Sequence, residues 1–169
     1  MSNQQQTALF LVRHGETDLY YSEVESVDDR RRLNQRGRGQ AKKVGEYLKD
    51  FGCAAVYSSP RHRCKETALI IKKEADILGE VVIDKRLDEF YPGDTNSGTL
   101  QRLHDYFLEV SDKYAGQQVV AVTHQHNLVS IAAEVTKKFD WHEASSAAVL
   151  RLVFAGRKLV QASWLHPSG

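Results

Sequence analysis

Apolar residues along this chain fall into two alternating patterns: short unbroken runs, and longer stretches in which they recur every three or four positions. The first pattern predicts buried strands and the second amphipathic helices. Ala8–Val12 is the first run, preceded by a polar, frayed Met1–Gln6; Ala41, Val44, Leu48 and Phe51 then follow at helical spacing, stopped by Gly52. Ala54–Tyr57 reads as the second strand. Ser59-Pro60 reads as a helix start, the hydroxyl capping free amides and the proline fitting the first turn. Ala68, Ile71, Ala75 and Leu78 mark the buried face of that helix. Val81–Ile83 is a short strand, and Leu100, Leu103, Phe107, Val110 and Tyr114 mark a long helix ending near Gly116. Val119–Thr123 is a buried strand, and Leu128, Ile131, Ala132 and Val135 give another helix. Ala147–Phe154 and Leu159–Trp164, joined at Ala155-Gly156-Arg157, form a terminal hairpin. Such alternation predicts an α/β fold, a three-layer sandwich with a mostly parallel central sheet and helices on both faces.

Composition narrows the partners. A chain of 169 residues with 41% hydrophobic content suits one domain over residues 1–169, stable without disulfides or metal. Its formal net charge of +1 gives no general attraction for nucleic acid or an anionic membrane, so affinity for anions must come from a local cluster. Cys53 and Cys64 suggest no disulfide framework, and no signal pattern or bilayer-length apolar run is present. A cytoplasmic protein with reduced thiols is expected; the oligomeric state is not legible.

The chemistry-bearing residues gather at strand ends, where open α/β proteins place their sites. Arg13-His14-Gly15 follows the first apolar run, Ser58-Ser59-Pro60-Arg61-His62-Arg63 follows the second, and His124 follows Val122-Thr123. Two imidazoles and several guanidiniums at equivalent strand ends describe a crevice for an anion better than a core.

Four motifs in register identify the relationship. Leu11-Val12-Arg13-His14-Gly15-Glu16-Thr17 resembles the signature of the histidine phosphatase superfamily, the phosphoglycerate-mutase-like enzymes, and Leu33-Asn34-Gln35-Arg36-Gly37 with Gln40-Ala41 is similar to its leucine-threonine-x-x-glycine element. Ser58–Ala68 resembles its serine-proline-x-x-arginine stretch, and Val122-Thr123-His124 its second-histidine motif. The resemblance implies a phosphoglycerate-mutase-like fold and a phosphatase with a phosphohistidine intermediate on His14. One ring nitrogen must then be unprotonated and aimed while a hydrogen bond holds the other. Arg13 and Arg63 would bind the phosphoryl oxygens through planar donor forks, with His124 completing the clamp. Glu89 matches the family's acidic position and would protonate the leaving oxygen, with Asp88 an adjacent candidate; either needs a raised pKa. Neither cofactor nor metal is implied.

Other readings of the same residues are a phosphoglycerate mutase-type phosphotransferase, a metal-dependent hydrolase built on His124-x-His126, and a non-catalytic phosphoprotein-binding module. The metal reading has no nearby cysteine or carboxylate group to complete a site. Cys64 lacks an arginine six positions on, where Ile70 stands, so the loop of cysteine phosphatases is missing. Arg30-Arg31-Arg32, after Asp28-Asp29, reads most simply as a solvated charge run, the alternative being a cluster near the site that attracts phosphorylated partners. Departures from the family pattern are Leu19-Tyr20, where many members carry tryptophan-asparagine, and Gln125-His126, where glycines are common. Leu87–Asp94 loosely resembles short bacterial phosphohistidine phosphatases. Phe90–Gly98 leaves little room for a lid, and Thr17–Arg32 is the remaining candidate flap. A phosphorylated small molecule or a phosphohistidine protein is the expected substrate, with negligible mutase activity.

Overall fold

The computed structural model describes residues 5–18, 22, 24–89 and 95–169. In chain order the elements are β1 (Gln6–Arg13), α1 (Glu25–Asp28), α2 (Gln35–Leu48), β2 (Ala55–Ser58), α3 (His62–Glu74), β3 (Val82–Ile83), α4 (Asn96–Lys113), β4 (Gln118–Thr123), α5 (Gln125–Thr136), β5 (Val149–Ala155) and β6 (Lys158–Leu165). The strands form one sheet in the order β3-β2-β4-β1-β5-β6. β3, β2, β4 and β1 run parallel, while β5 pairs antiparallel with β1, and β6 antiparallel with β5.

Two cores lie on opposite faces of this sheet, because successive strand residues point to opposite sides. Leu9, Leu11, Tyr57, Val119 and Ala121 pack with Leu103, Tyr106 and Phe107 of α4 and Leu128 and Ile131 of α5. Phe10, Val12, Val56, Val120 and Val122 pack with Val44 and Leu48 of α2 and Cys64, Ala68 and Ile71 of α3. The expected three layers and mostly parallel sheet are both present.

Three local expectations are corrected. Gln6, read as frayed, pairs with Ala155 and begins β1, since β5 extends the ladder past the apolar run. Leu78, assigned to the buried face of α3, is 87% exposed: the helix stops at Glu74, and Asp76 takes a left-handed φ of 53° that an aspartate tolerates. Ser59 does not cap a helix beginning at Pro60, because α3 starts at His62 and Arg61 stands at the cap position. Among the described residues no helix is long and apolar enough to cross a membrane.

Candidate active site

Strand register places the two histidines side by side. β1 and β4 are neighbours with Arg13 opposite Thr123, so His14 and His124 leave the sheet together, and the His14 amide donates to the Thr123 carbonyl at 3.1 Å. Their rings meet edge to face with centroids 5.6 Å apart. β2 ends on the other side of β4, which brings Ser59 to His124 Nε2 at 2.8 Å. The Ser59 hydroxyl also accepts from the Arg61 amide at 3.3 Å. The other ring nitrogen of His124, Nδ1, lies 3.9 Å from Glu89 Oε2.

The sequence motifs interlock around His14. Its Nδ1 donates to the Gly15 carbonyl at 2.8 Å, because a carbonyl can only accept, and Nε2 has no hydrogen-bond partner among the described residues. Gly15 donates its amide to Thr67 Oγ1, which in turn donates to the Arg63 carbonyl. The Glu16 amide donates to Gln40 Oε1 at 3.0 Å. Asn34 caps α2 by accepting from the Gly37 amide at 2.7 Å while its Nδ2 donates to Glu16 Oε1. Burial pushes the His14 imidazolium well below the ordinary histidine pKa, and Arg63, Arg13 and Arg31 push the same way. The ring is therefore neutral near pH 7. His124 is lowered for the same first reason, burial, with Arg63 and His14 adding to it.

Arg63 is fully buried. Its Nη2 donates to Glu89 Oε2 at 2.6 Å and to Asp28 Oδ2 at 3.0 Å. Arg13, half-buried at the end of β1, donates through Nη1 to the Ala144 carbonyl at 2.8 Å. Burial raises the Glu89 carboxyl above its usual range, and Asp28 and Asp88 act in the same direction against the pull of Arg63. Asp88 is occupied differently: its Oδ1 accepts from Arg61 Nε at 2.8 Å and from the Glu89 amide at 2.7 Å. Both carboxylates lie beside His124, Asp88 Oδ1 3.8 Å from Nε2 and Glu89 Oε2 3.9 Å from Nδ1, but their partners differ: Glu89 pairs with Arg63, while Asp88 is held by Arg61 and the turn.

All five residues singled out from the sequence, Arg13, His14, Arg63, Glu89 and His124, converge in this way. Arg31 is the residue that the sequence reading misassigned. Within a supposed solvated run its side chain is only 12% exposed, and it donates to Asp28 Oδ1 at 3.0 Å and Thr17 Oγ1 at 3.2 Å. Asp28, also missed, bridges Arg31 and Arg63, so the later part of the supposed Thr17–Arg32 flap is pinned to the site. A signal for both existed in the Asp28-x-x-Arg31 spacing, which puts the two on one side of a helical turn. Leu19-Tyr20 and Phe90–Asp94 lie outside the described residues. Gln125 and His126 turn toward the loop after α5: Gln125 donates to the Trp141 and Ala144 carbonyls, and His126 lies against Trp141 with ring centroids 6.0 Å apart. Among the described residues no three histidine, cysteine, aspartate or glutamate side chains are grouped to hold a metal ion. Burial pushes the Cys64 thiol up to about 12, so it is no nucleophile.

Chemically, the arrangement offers a neutral imidazole with a free nitrogen, converging cations and a carboxyl group raised toward the protonated form. Comparison with known proteins gives the family of the chain. The family model described as histidine phosphatase superfamily (branch 1) matches residues 9–99. A Bacillus subtilis protein, "Uncharacterized phosphatase PhoE", is 31% identical over 153 residues, covering 77% of this chain and 78% of that protein. Among solved structures, the protein histidine phosphatase SixA complexed with tungstate superposes with a TM-score of 0.76 at 15% identity, over 95% of this chain and 97% of that one. A phosphoserine phosphatase from Entamoeba histolytica gives 0.75 at 18% identity, over 94% and 96% of the two chains. The matched span runs from the strand that leads to His14, through Gly15, Gly37 and the Arg63 helix, to the first turn of α4, and this chain belongs to branch 1 of the histidine phosphatase superfamily.

Proposed function

We propose that this protein is a metal-independent phosphatase, hydrolysing phosphomonoesters or protein phosphohistidine through a phosphohistidine intermediate on His14. One observation carries the reading: Nδ1 of His14 is committed to the Gly15 carbonyl at 2.8 Å, so the lone pair of a neutral ring lies on Nε2, which has no partner among the described residues. Nε2 attacks phosphorus, the bond from phosphorus to the leaving oxygen or nitrogen breaks, and Glu89 gives its proton to the leaving atom. Water then attacks the phosphohistidine, returns a proton to Glu89, and the phosphorus–nitrogen bond breaks to free orthophosphate. Arg13 and Arg63, with His124, stabilise the charge on the phosphoryl oxygens through both steps.

Arg31 joins that clamp through its field on His14 and His124. Glu89 suits the acid role because burial favours its protonated form and Arg63 fixes its direction. Hydrolysis rather than phosphoryl exchange is favoured by the short stretch available for a lid between Glu89 and His124. The protein histidine phosphatase and the phosphoserine phosphatase that share this fold keep a protein or amino-acid phosphate among the candidate substrates.

The test is rapid quenching with labelled substrate alongside a turnover screen on phosphohistidine protein, sugar phosphates and an aryl phosphate. An acid-labile, alkali-stable adduct that His14→Ala abolishes is expected, at rates that a chelator leaves unchanged. An adduct elsewhere removes the mechanism, and loss on chelation with rescue by a divalent ion moves support to a metal hydrolase. Phosphate binding without turnover leaves a binding module, and fast interconversion of phosphoglycerates makes the protein a mutase.

A further inference from the structure

The Ala144 carbonyl receives two side-chain donors from opposite sides of the site. Arg13 Nη1 reaches it at 2.8 Å from the end of β1, and Gln125 Nε2 reaches it at 3.1 Å from the first turn of α5, the residue after His124. A carbonyl has two lone pairs, so the pair of donors saturates it and fixes its position. The same Gln125 nitrogen also donates to the Trp141 carbonyl at 3.2 Å, so both amide protons are spent on one loop.

That loop, 137–148, has no regular secondary structure, yet it supplies the Arg13 side chain with its only hydrogen-bond acceptor among the described residues. Its ion-pair ties are exposed and weak: Lys138–Asp140 lies within the loop, and Glu143 pairs with His166 at side-chain exposures of 44% and 37%. Ala144 and Ala147 are packed into the two cores, and two further hydrogen bonds tie the loop to the backbone beside the nucleophile. Ala147 donates to the His14 carbonyl at 3.2 Å, and the Arg13 amide donates to the Ala148 carbonyl at 3.0 Å. Ala147 is buried and held at a φ of 59°, a left-handed conformation that an alanine adopts only under constraint. The loop is therefore tied to the backbone of His14 at one end and to the turn after His124 at the other. Gln125 makes the second tie.

We propose that Gln125 is a positioning residue that aims Arg13 at the phosphoryl group, acting through the Ala144 carbonyl that both side chains bind. The proposal rests on the phosphatase reading for what Arg13 holds, but its geometry is independent of turnover. It accounts for an amide side chain at a position where glycine is common in the family: two N–H groups at one nitrogen are what two neighbouring carbonyls require. Gln125 itself touches no reacting atom.

The decisive experiment is a double-mutant cycle on anion affinity. Orthophosphate and vanadate binding are measured by calorimetry for the native protein, Gln125→Met, Arg13→Ala and the double variant, with native-like unfolding confirming each fold. Gln125→Met keeps the side-chain length and loses both donors. About a tenfold loss of affinity is expected in the native background and less than about twofold in the Arg13→Ala background, a coupling that general loosening of the loop does not produce. Turnover should fall by the same factor on aryl phosphate and phosphohistidine, since Arg13 faces the phosphoryl group common to both. Should Gln125→Met fail to fold, Gln125→Gly enters the same cycle. Equal losses in the two backgrounds, or no loss in the native one, overturn the proposal while leaving the phosphatase reading intact. Anion binding with the expected coupling but no adduct on His14 overturns the phosphatase reading alone, and a native protein that binds neither anion overturns both.

Discussion

Gly15 and Gly37 stand back to back: a Cβ on Gly37 would lie 2.1 Å from the Glu16 carbonyl oxygen, and one on Gly15 would lie 2.5 Å from the Gly37 carbonyl oxygen. The first turn of α2 thereby sets the depth of the turn that carries His14. Gly37→Ala must push the two apart, and a cost of about 1–3 kcal/mol in stability is expected. Because a displacement of about 1 Å at a reacting group costs on the order of a hundredfold, turnover should fall by at least about tenfold. Gly39→Ala is the control, since nothing lies within 4 Å of a Cβ there and alanine favours the helix. Urea unfolding and turnover of the two variants check this; equal behaviour would sink the packing argument.

The different partners of Asp88 and Glu89 predict different failures. Glu89→Gln removes the proton source and should slow alkyl phosphate hydrolysis by about 10²–10⁴. It should change phosphohistidine hydrolysis much less, because a phosphoramidate nitrogen leaves with less help. Asp88→Asn weakens the acceptor of Arg61 Nε and the Glu89 amide and should lower stability and slow both substrates alike. Steady-state rates on the two substrates decide, and an Asp88→Asn profile matching the one expected of Glu89→Gln would reassign the acid.

Arg31 is expected to tune the nucleophile. Its charge is one of the influences that lower the His14 pKa, so Arg31→Met should let that pKa rise toward its ordinary value. The acid limb of kcat/KM then moves to higher pH. Arg32→Met is the comparison, because Arg32 is exposed and only grazes the Asp29 carbonyl at 3.5 Å. If the acid limb is unmoved in Arg31→Met, or moves equally in both variants, Arg31 has no place in the site.

Strand ends were readable because a buried run that stops at a charged residue fixes both position and surroundings. Arg13, His14 and His124 needed only the apolar runs before them, and the β1–β4 register then placed the two rings together. Arg31 was not readable in that way. A run of three arginines carries no record of which one turns inward, and that choice is made by Asp28 on the same helical turn. Ser59 misled for a related reason: a serine before a proline satisfies the local rule for a helix cap, but the imidazole 65 residues away competes for its hydroxyl. Leu78 followed the helical period until Asp76 broke the backbone. Local pattern thus located the strands and the motif residues, while long-range partners decided what each polar side chain does.

The last prediction concerns stability against pH. His14 and His124 are 5% and 0% exposed, and both have folded pKa values well below 6.5. In the unfolded chain each takes up a proton as pH falls through 6.5, the ordinary histidine value, whereas in the folded protein neither does until its lowered pKa is reached. The unfolded state then binds more protons, so their contribution is fully present above 6.5 and is lost as pH falls toward the folded values. Glu89 works with the opposite sign. Its folded pKa is raised, so its contribution is present below its ordinary 4.5 and lost as pH rises through the folded value. The histidine effect should dominate between about pH 5 and about pH 7, with a slope approaching two protons. Urea titrations across that interval should show stability climbing with pH, and His14→Asn should remove about half of the slope. A His14→Asn slope equal to that of the native protein would mean that the buried imidazole is protonated in the fold, which would leave it without the free lone pair that nucleophilic attack requires.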